Sequence, residues 1–308
     1  MTVPAVRDAI DLLKPHLSPT TRTRLVQARV LARRPTARAR LLPDFLVLGA
    51  MRAGTSTLHR YLSEHPDVGA SLPKEVEYFS RYHGRGETWY RQHFPLAGRR
   101  WYAERNGRPL RVFEATPYYL FEPRCPGRVH AVLPSAQLVV LLRDPVARAF
   151  SHHQHVTRLG LEPLPFGAAL EAEEGRLAAD ADRSRDDPAF VCNRHRHFSY
   201  FSRGLYAQQL QQWLSWYPRS NLLLVESAQL YADPAGCLDE ILTFLGLRPW
   251  RPRVFGNYTY VGAAPPRSAI DAGLARDLRA RFAAADRELE TLWGRTPSWR
   301  SAGMGNPG

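Results

Sequence analysis

The chain contains 308 residues, enough to bury the core of one large α/β domain or of two small ones. Its hydrophobic content of 44%, with seven Trp and thirteen Phe, is typical of a globular protein and excludes an intrinsically disordered chain. A formal net charge of +13 favours anionic partners, but Lys14 and Lys74 are the only lysines, so the positive charge is almost all arginine. Arginines outside a motif are therefore interpreted as solvated surface.

Cysteine spacing and hydropathy exclude several further classes. The three cysteines are odd in number, widely spaced and without a CxxC pair, which argues against a disulfide framework or a zinc site. No apolar run reaches the length of a membrane span, and the N-terminus lacks the compact apolar run of a signal peptide. We therefore expect a cytoplasmic protein without a transmembrane segment.

Residues 1–41 predict a basic N-terminal extension that precedes the folded domain. The extension contains a short amphipathic stretch at Val6–Leu17, followed by an arginine-rich segment that ends at Pro43. We interpret it as a solvated basic helix, with contact to the domain or to an acidic surface as the alternative. The domain itself is expected to span residues 42–299, followed by a flexible tail at residues 300–308.

From Asp44 onward, short apolar runs alternate with longer segments of helical periodicity. This alternation is typical of βαβ units and predicts a P-loop-like three-layer α/β domain, with a central parallel β-sheet flanked by helices. Strands are predicted at Phe45–Leu48, Val68–Ser71, Arg111–Glu114, Leu138–Leu142 and Leu222–Val225, and helices at Thr55–Ser63, Val146–His155, Tyr206–Trp216 and Cys237–Leu245.

A polar insertion separates two of these predicted helices, between Gly160 and Tyr200. Its first half, residues 166–179, predicts an acidic helix, and residues 180–197 predict a loop. Because loops of this length in compact domains tend to be lids or binding loops, we expect the insertion to border a site.

The first predicted strand runs directly into a glycine turn and then into a helix. Gly49 and Gly54 have the GxxxxG spacing of a phosphate-binding loop, in which backbone N–H groups and a helix N-terminus face an anion. Thr55 stands where a nucleoside triphosphate site carries Lys, and the cation lies instead at Arg52, inside the turn. A cation there can contact the transferred group of a shorter donor. The alternative is that both glycines only make a tight turn.

A second anion site is predicted at the end of the strand near Leu142. Arg143 leaves that strand at its carboxyl end, where ligands bind open α/β sheets, and Pro145 marks the start of a helix that carries Ser151. An arginine and a hydroxyl that converge on a phosphate supply one charge-assisted and one neutral hydrogen bond. The alternative is a surface pair of Arg143 and Asp144, with Ser151 as an ordinary helix residue.

Together these segments resemble the sulfotransferase family that uses 3′-phosphoadenosine 5′-phosphosulfate (PAPS), and most closely its heparan-sulfate-type and bacterial branch. GAMRAGTSTL at 49–58 is similar to the loop that holds the 5′-phosphosulfate, and LLRDPVARAFS at 141–151 is similar to the strand and helix that hold the 3′-phosphate. The resemblance covers roughly residues 42–299. It continues in PKEVEYF at 73–79, EATPYY at 114–119, RGLYAQQLQQW at 203–213 and FLGL at 244–247.

The resemblance implies a role for individual residues. Arg52 takes the place of a catalytic Lys, and Glu75 that of the base that removes the acceptor proton, with Glu77 as the rival base. Consecutive histidines at 152–155 point in different directions on a helix, so no metal site is predicted. The implied donor-binding residues are Arg52, Ala53, Gly54, Thr55, Ser56, Thr57, Arg143, Ser151, Arg203 and Gly204, and the acceptor-side residues are Lys74, Glu77, Glu114, His153 and His155.

The reaction implied by the resemblance is in-line transfer of a sulfuryl group from PAPS to a hydroxyl of a carbohydrate, glycolipid or secondary metabolite. The other product is 3′-phosphoadenosine 5′-phosphate (PAP), and no metal is required. A P-loop kinase that uses the same turn is one alternative, and a basic nucleic-acid-binding protein is another. The missing Lys after Gly54 and the site at Arg143 argue against the kinase, and no nucleic-acid-binding motif supports the second alternative.

Overall fold

The strands form a single parallel sheet in a computed structural model that describes residues 18–179, 187, 190–256 and 270–301. Within these residues the sheet has five strands in the order β2-β3-β1-β4-β5, and every neighbouring pair is parallel. Each predicted strand is confirmed to within one residue at either end. The strands are β1 Phe45–Gly49, β2 Val68–Ala70, β3 Arg111–Ala115, β4 Gln137–Leu142 and β5 Leu222–Glu226.

The central strands are buried on both faces. All five residues of β1 are buried, and β4 is buried from Leu138 to Leu142. Such continuous Leu- and Val-rich runs are typical of parallel strands that are covered by helices on both sides. Leu46 pairs with Leu138 of β4 on one side and with Glu114 of β3 on the other. The predicted three-layer α/β fold is therefore confirmed.

Helices connect and cover the strands, and the four predicted helices are all present. In chain order the described helices are α1 Pro19–Leu31, α2 Thr55–Glu64, α3 Gly86–Arg91, α4 Ala97–Arg105, α5 Cys125–Val132, α6 Pro145–Arg158, α7 Phe166–Glu171, α8 Glu173–Ala178, α9 Asn193–His197, α10 Tyr206–Leu214, α11 Ser227–Ala232, α12 Pro234–Phe244, α13 Ala272–Trp293 and α14 Ser298–Ser301.

The insertion differs from its prediction. The expected single acidic helix is two short helices, α7 and α8, that are separated at Ala172. Glu173 begins α8 and is buried. Its carboxylate is satisfied there by hydrogen bonds from the backbone N–H groups of Tyr200 (2.8 Å) and Phe201 (2.6 Å). Part of the predicted loop, residues 180–186, 188 and 189, lies outside the described residues, and its last part forms α9.

The longest described helix, α13, was not predicted from the sequence. Its ends carry the usual start and stop signals of a helix. The Asp271 carboxylate accepts the N–H of Leu274 (2.8 Å), and Gly294 ends the helix with a φ of 81°. Leu278 and Phe282 of α13 pack with α6 and α7 in a second apolar cluster beside the main core. This packing holds the insertion against α6.

The predicted extension and tail are described only in part. The amphipathic stretch at Val6–Leu17 and residues 302–308 lie outside the described residues, whereas α1 and a 3₁₀ turn at Arg34–Ala39 belong to the described part of the extension. The domain limits of 42 and 299 stay a prediction. No helix in the described part of the chain is long and apolar enough to cross a membrane.

Candidate active site

The order of the strands places a ligand site at the carboxyl ends of β1 and β4. The chain leaves the central strand β1 toward β2 and β3 on one side, and then crosses to β4 and β5 on the other. Open α/β sheets bind ligands where the direction of the connections reverses in this way. The two predicted anion sites follow β1 and β4 directly, and they meet at this point.

The turn after β1 has the backbone geometry of an anion cradle. Arg52 and Gly54 have positive φ values of 71° and 94°, and Gly54 is the N-cap of α2. The φ of Gly54 would strain any residue with a side chain, and a Cβ there would also lie 2.9 Å from the Tyr231 hydroxyl. The N–H groups in the first turn of α2, at Thr55 and Ser56, lie at the positive end of the helix dipole, which favours an anion.

Hydrogen bonds join the turn to the second predicted site. Arg52 Nε donates to Ser151 Oγ at 3.1 Å, and Arg143 Nη1 donates to the carbonyl oxygen of Arg52 at 2.9 Å. The Tyr206 hydroxyl donates to the carbonyl oxygen of Arg143 at 2.8 Å. Because Arg143 follows β4 and Ser151 lies on α6, the two sequence motifs form one site.

This site opens into a cavity of about 1390 Å³. Ligand pockets commonly measure roughly 300–1,000 Å³, so the cavity has room for a nucleotide together with part of a second substrate. Most of the predicted site residues line it, namely Arg52, Gly54, Thr55, Ser56, Lys74, Glu75, Arg143, Ser151, His153, His155 and Arg203.

Glu75 is linked to the anion cradle through Lys74. The Lys74 ammonium donates to Glu75 Oε1 at 2.7 Å and to Ser56 Oγ at 3.1 Å. The Glu75 side chain is 42% exposed, so the carboxylate remains accessible from the cavity. Glu75 has a φ of 62°, and its N–H donates to the carbonyl oxygen of Ala115 at the end of β3 (3.1 Å). The sheet therefore holds this carboxylate beside the first turn of α2.

His155 lies near the same charged groups. Burial lowers its pKa, the positive charges of Arg52 and Arg158 lower it further, and Glu75 acts in the opposite direction. His155 is therefore uncharged at neutral pH and can donate or accept a hydrogen bond in the cavity. His153 also lines the cavity, but one of its ring nitrogens lies 2.8 Å from the carbonyl oxygen of Leu164 and holds the insertion.

Glu77, the rival base, does not line the cavity. It is mostly buried, and its carboxylate forms an ion pair with Arg196. Its carbonyl oxygen accepts the N–H groups of Arg81 (2.8 Å) and Tyr82 (3.1 Å), so the residue stabilises the turn that follows. The structure therefore separates the two glutamates: Glu75 faces the cavity, and Glu77 is part of a buried ion pair beside it.

Glu114 also differs from its predicted place on the acceptor side. It lies within β3, is completely buried, and does not line the cavity. The Tyr90 hydroxyl donates to its Oε1 at 2.7 Å, and the Thr116 hydroxyl to its Oε2 at 3.3 Å. Burial raises the pKa of Glu114 to about 7, despite these hydrogen bonds. Glu114 is a polar part of the core, and only its position as the first residue of the EATPYY segment suggested contact with substrate.

A Glu114→Gln substitution is expected to change how stability depends on pH. Because the folded-state pKa lies above the ordinary value of 4.5, the stabilising contribution of the Glu114 proton is fully present below pH 4.5 and is lost as pH rises through about 7. The variant has no such proton, so its free energy of unfolding should improve relative to the natural chain across this range. Urea denaturation of both proteins near pH 4.5 and above pH 7 measures the difference. A difference that is constant with pH would contradict the assignment.

Three predicted donor-binding residues do not line the cavity. Ala53 is completely buried in the main apolar core, and Thr57 is completely buried within α2. Gly204 lies in a 3₁₀ turn, and a Cβ there would come within 2.6 Å of the Phe282 ring and 2.9 Å of Pro145. The glycine is needed for the close contact of this turn with α13 and with the start of α6.

Arg203 contacts the turn after β1 from within the protein core. It is almost completely buried, and its Nη1 lies 2.8 Å from the sulfur of Met51, in the turn itself. Its Nη2 donates to the carbonyl oxygens of His195 (3.1 Å) and Arg196 (2.6 Å), at the end of the insertion. Burial lowers the pKa of Arg203 to about 9, so it remains charged at neutral pH. Arg203 therefore connects the insertion with the turn.

Several cavity residues were not predicted. Glu226 ends β5 and Ser227 follows it, and the rule that ligands bind at the carboxyl ends of strands could have indicated both. Glu226 accepts the N–H of Ser298 at 3.0 Å and so brings Trp299 to the cavity wall. Nothing in the sequence placed Trp299 there, because about seventy residues separate it from β5. The other such residues include Tyr118, Arg158, Arg196 and Tyr231.

Comparison with known proteins identifies the family of this chain. Residues 42–254 match the model of the sulfotransferase domain. The chain belongs to the sulfotransferase family. The comparisons give no support to the kinase or to the nucleic-acid-binding alternative. The resemblance inferred from the paired motifs is confirmed.

Two curated relatives and one solved structure are similar to this sulfotransferase. It is 34% identical over 212 residues to heparan sulfate glucosamine 3-O-sulfotransferase 6 of Homo sapiens, covering 68% of this chain and 54% of that protein. It is 32% identical over 225 residues to the bifunctional heparan sulfate N-deacetylase/N-sulfotransferase 2 of Bos taurus, covering 71% and 23% respectively. This chain thus spans about half, or less, of the length of these relatives.

The fold of this sulfotransferase is similar to that of a crystallised bacterial protein. The crystal structure of a sulfotransferase from Alicyclobacillus acidocaldarius superimposes with a TM-score of 0.66 at 28% identity. The superposition covers 84% of this chain and 99% of that one.

Proposed function

We propose that this protein transfers the sulfuryl group of PAPS to a hydroxyl of a carbohydrate, glycolipid or secondary-metabolite acceptor. The observation that carries the proposal is the convergence of two anion-binding elements on one cavity. The turn at Arg52 lies on one side and Arg143 with Ser151 on the other, and the 3.1 Å contact of Arg52 with Ser151 joins them. A nucleotide with phosphates at both its 5′ and 3′ positions requires such a pair of sites.

The residues of the cavity fit this donor. Thr55 and Ser56, in the first turn of α2, are suited to the 5′-phosphosulfate, because a helix N-terminus favours an anion. Arg143 and Ser151 are suited to the 3′-phosphate, to which an arginine donates charge-assisted hydrogen bonds. When bound, PAPS supplies the sulfuryl group and leaves as PAP. Arg52 lies between the two sites and can stabilise the negative charge that develops on the leaving phosphate.

Glu75 is proposed as the base. It faces the cavity and is held beside the cradle by Lys74. The acceptor oxygen forms a bond to sulfur while the bond between sulfur and the phosphate oxygen breaks, and the acceptor proton passes to the Glu75 carboxylate. A hydroxyl is a weak nucleophile, so removing its proton during attack accelerates the step. Lys74 orients the carboxylate and adds positive charge near the phosphosulfate.

A carbohydrate acceptor is the substrate class that the relatives favour. Both curated relatives described above are named for heparan sulfate, and one is named a 3-O-sulfotransferase. Because the other is named an N-sulfotransferase, an acceptor panel should include sugars with a free amine as well as sugars with only hydroxyls. Glycolipids and hydroxylated secondary metabolites complete the panel.

The donor is tested by incubating the purified chain with this panel and either sulfur-labelled PAPS or γ-phosphate-labelled ATP. We expect transfer of label from PAPS only, and loss of most transfer in an Arg143→Ala variant. Phosphate transfer from ATP would overturn the proposal. Binding of PAP, followed by calorimetry, tests the donor site even if the correct acceptor is absent from the panel.

We further propose a cytoplasmic location for this protein. Fractionation of producing cells, with detection by an antibody, tests this location. Recovery of the protein in a secreted fraction would contradict it.

A further inference from the structure

Helix α4 exposes an unusual pair of aromatic side chains. Trp101 is 58% exposed and Tyr102 is 67% exposed, and no residue of α4 is fully buried. Leu96, just before the helix, is also exposed. Large aromatic side chains are costly to leave in water, and a cluster of them on a surface commonly marks an interaction site. The Arg105 guanidinium lies 4.7 Å from the Trp101 ring, so the aromatic surface is also positively charged.

This helix lies where the strands begin, on the side of the sheet opposite to the cavity. Arg100 attaches α4 to the domain, because its Nε donates to the carbonyl oxygen of Leu110 at 3.2 Å and its guanidinium pairs with Asp44. Asp44 immediately precedes β1, and Leu110 immediately precedes β3. The helix therefore covers the amino ends of the strands, whereas the cavity lies at their carboxyl ends.

The basic extension reaches the same edge. Arg40 forms an antiparallel bridge with Leu96, and its Nη1 donates to the carbonyl oxygen of Phe94 at 2.7 Å. The 3₁₀ turn Arg34–Ala39 directly precedes this bridge and α4 directly follows it, so the two segments adjoin. Residues 18–43 contain seven arginines and no acidic residue. Arg34 and Arg38 of the turn are exposed.

We propose that this surface, the edge patch, binds anionic lipid headgroups at a membrane surface. The edge patch consists of Leu96, Trp101, Tyr102 and Arg105, together with Arg34 and Arg38. Trp and Tyr concentrate at the boundary between headgroups and acyl chains, and arginines near an anionic bilayer add attraction. Binding through this edge would leave the cavity open on the side away from the membrane. The inference does not depend on the proposed function.

Two other occupants fit these observations less well. A stable protein interface buries about 800 Å² on each partner, and it needs shape complementarity that one mostly exposed nine-residue helix does not offer. An anionic glycan that serves as acceptor must reach the cavity, which lies at the opposite end of the strands. A bilayer surface needs neither shape complementarity nor access to the cavity.

Co-sedimentation of the full chain with lipid vesicles tests the proposal. We expect binding to vesicles of equal parts phosphatidylglycerol and phosphatidylcholine, weak binding to phosphatidylcholine alone, and loss of binding as salt rises. Replacement of two patch arginines (Arg34→Ala with Arg38→Ala) should weaken binding about tenfold or more. The double change Trp101→Ala with Tyr102→Ala should weaken it about as much, because it removes the apolar anchor.

Matched controls separate the edge patch from general effects of charge and hydrophobicity. Arg276→Ala with Arg279→Ala removes two exposed arginines from α13, and Trp216→Ala removes an exposed tryptophan elsewhere. Both controls should bind vesicles nearly as well as the natural chain. Thermal unfolding confirms that each variant is folded, and the arginine variants test the proposal even if the aromatic variant is not.

Several results would overturn the proposal. The chain could fail to bind the anionic vesicles, or it could bind the neutral vesicles equally well. The patch and control variants could also lose vesicle binding to the same extent. Light scattering that shows a dimer dissociated by the aromatic change, without vesicle binding, would assign the patch to self-association instead. Binding to heparin but not to vesicles, with the same dependence on Arg34 and Arg38, would assign it to a glycan.

Discussion

Replacing Glu75 with Gln is expected to lower turnover by about a hundredfold or more while PAP binding is retained. Gln keeps the size of the side chain and can still accept a hydrogen bond from Lys74, but it cannot take the acceptor proton. The distance of 2.7 Å between Lys74 and Glu75 and the 42% exposure of Glu75 place this carboxylate where an acceptor can reach it. Initial rates at saturating substrates, together with calorimetric titration of PAP, measure the two effects separately.

Glu77→Gln is the matched control for this prediction. Glu77 lies two residues away and carries the same chemistry, but it does not line the cavity, and its carboxylate pairs with Arg196 at the cavity wall. We expect its turnover to remain close to that of the natural chain, with a loss of stability instead, because the change leaves Arg196 without its carboxylate partner. If turnover collapses in Glu77→Gln and survives in Glu75→Gln, the base is Glu77 and our assignment is wrong.

Replacing Arg143 with Ala is expected to weaken PAP binding by roughly 1.5 to 3 kcal/mol, the usual contribution of a hydrogen bond to a charged group. Arg143 leaves β4 at the edge of the sheet where the cavity opens, and Tyr206 holds its backbone by a 2.8 Å hydrogen bond to its carbonyl oxygen. A phosphate that loses its arginine in this partly enclosed place is only partly resolvated by water. Titration calorimetry with PAP measures the loss.

Adenosine 5′-monophosphate, which lacks the 3′-phosphate, is the matched ligand for this variant. If Arg143 binds the 3′-phosphate, Arg143→Ala should weaken the binding of PAP strongly and the binding of adenosine 5′-monophosphate only a little. An equal loss for both nucleotides would contradict the assignment. It would indicate that Arg143 acts through its 2.9 Å hydrogen bond to the carbonyl oxygen of Arg52, and so through the shape of the turn.

The strands could be predicted, and two candidate anion sites proposed, because the signals for both are local. A short apolar run such as Phe45–Leu48, followed by a glycine turn and a segment of helical periodicity, is typical of a buried strand that leads into a helix. The carboxyl end of a parallel strand is also a general place for ligands, which directed attention to Arg143. These inferences needed only spacing within about ten residues.

The side chains whose positions were predicted wrongly are buried ones. Glu77 and Glu114 stand in the same quoted motifs as true cavity residues, and no feature of the sequence distinguishes a glutamate that faces a cavity from one that accepts hydrogen bonds in the core. The fold decided this, because the Tyr90 hydroxyl and the Arg196 guanidinium come from distant parts of the chain. The burial of Glu173 was missed for the same reason, since its partners lie beyond the insertion.

The sequence alone determined the parallel α/β fold and the family, and it predicted two anion-binding motifs with Arg52, Arg143 and Ser151. Only the tertiary structure decided that the two motifs form one site, since the order of the strands brings Arg52 and Ser151, 99 positions apart, to a 3.1 Å contact. The tertiary structure also separated Glu75 from Glu77. The physical reason is that spacing along the chain specifies backbone conformation, whereas burial and hydrogen-bond partners arise from contacts between distant segments.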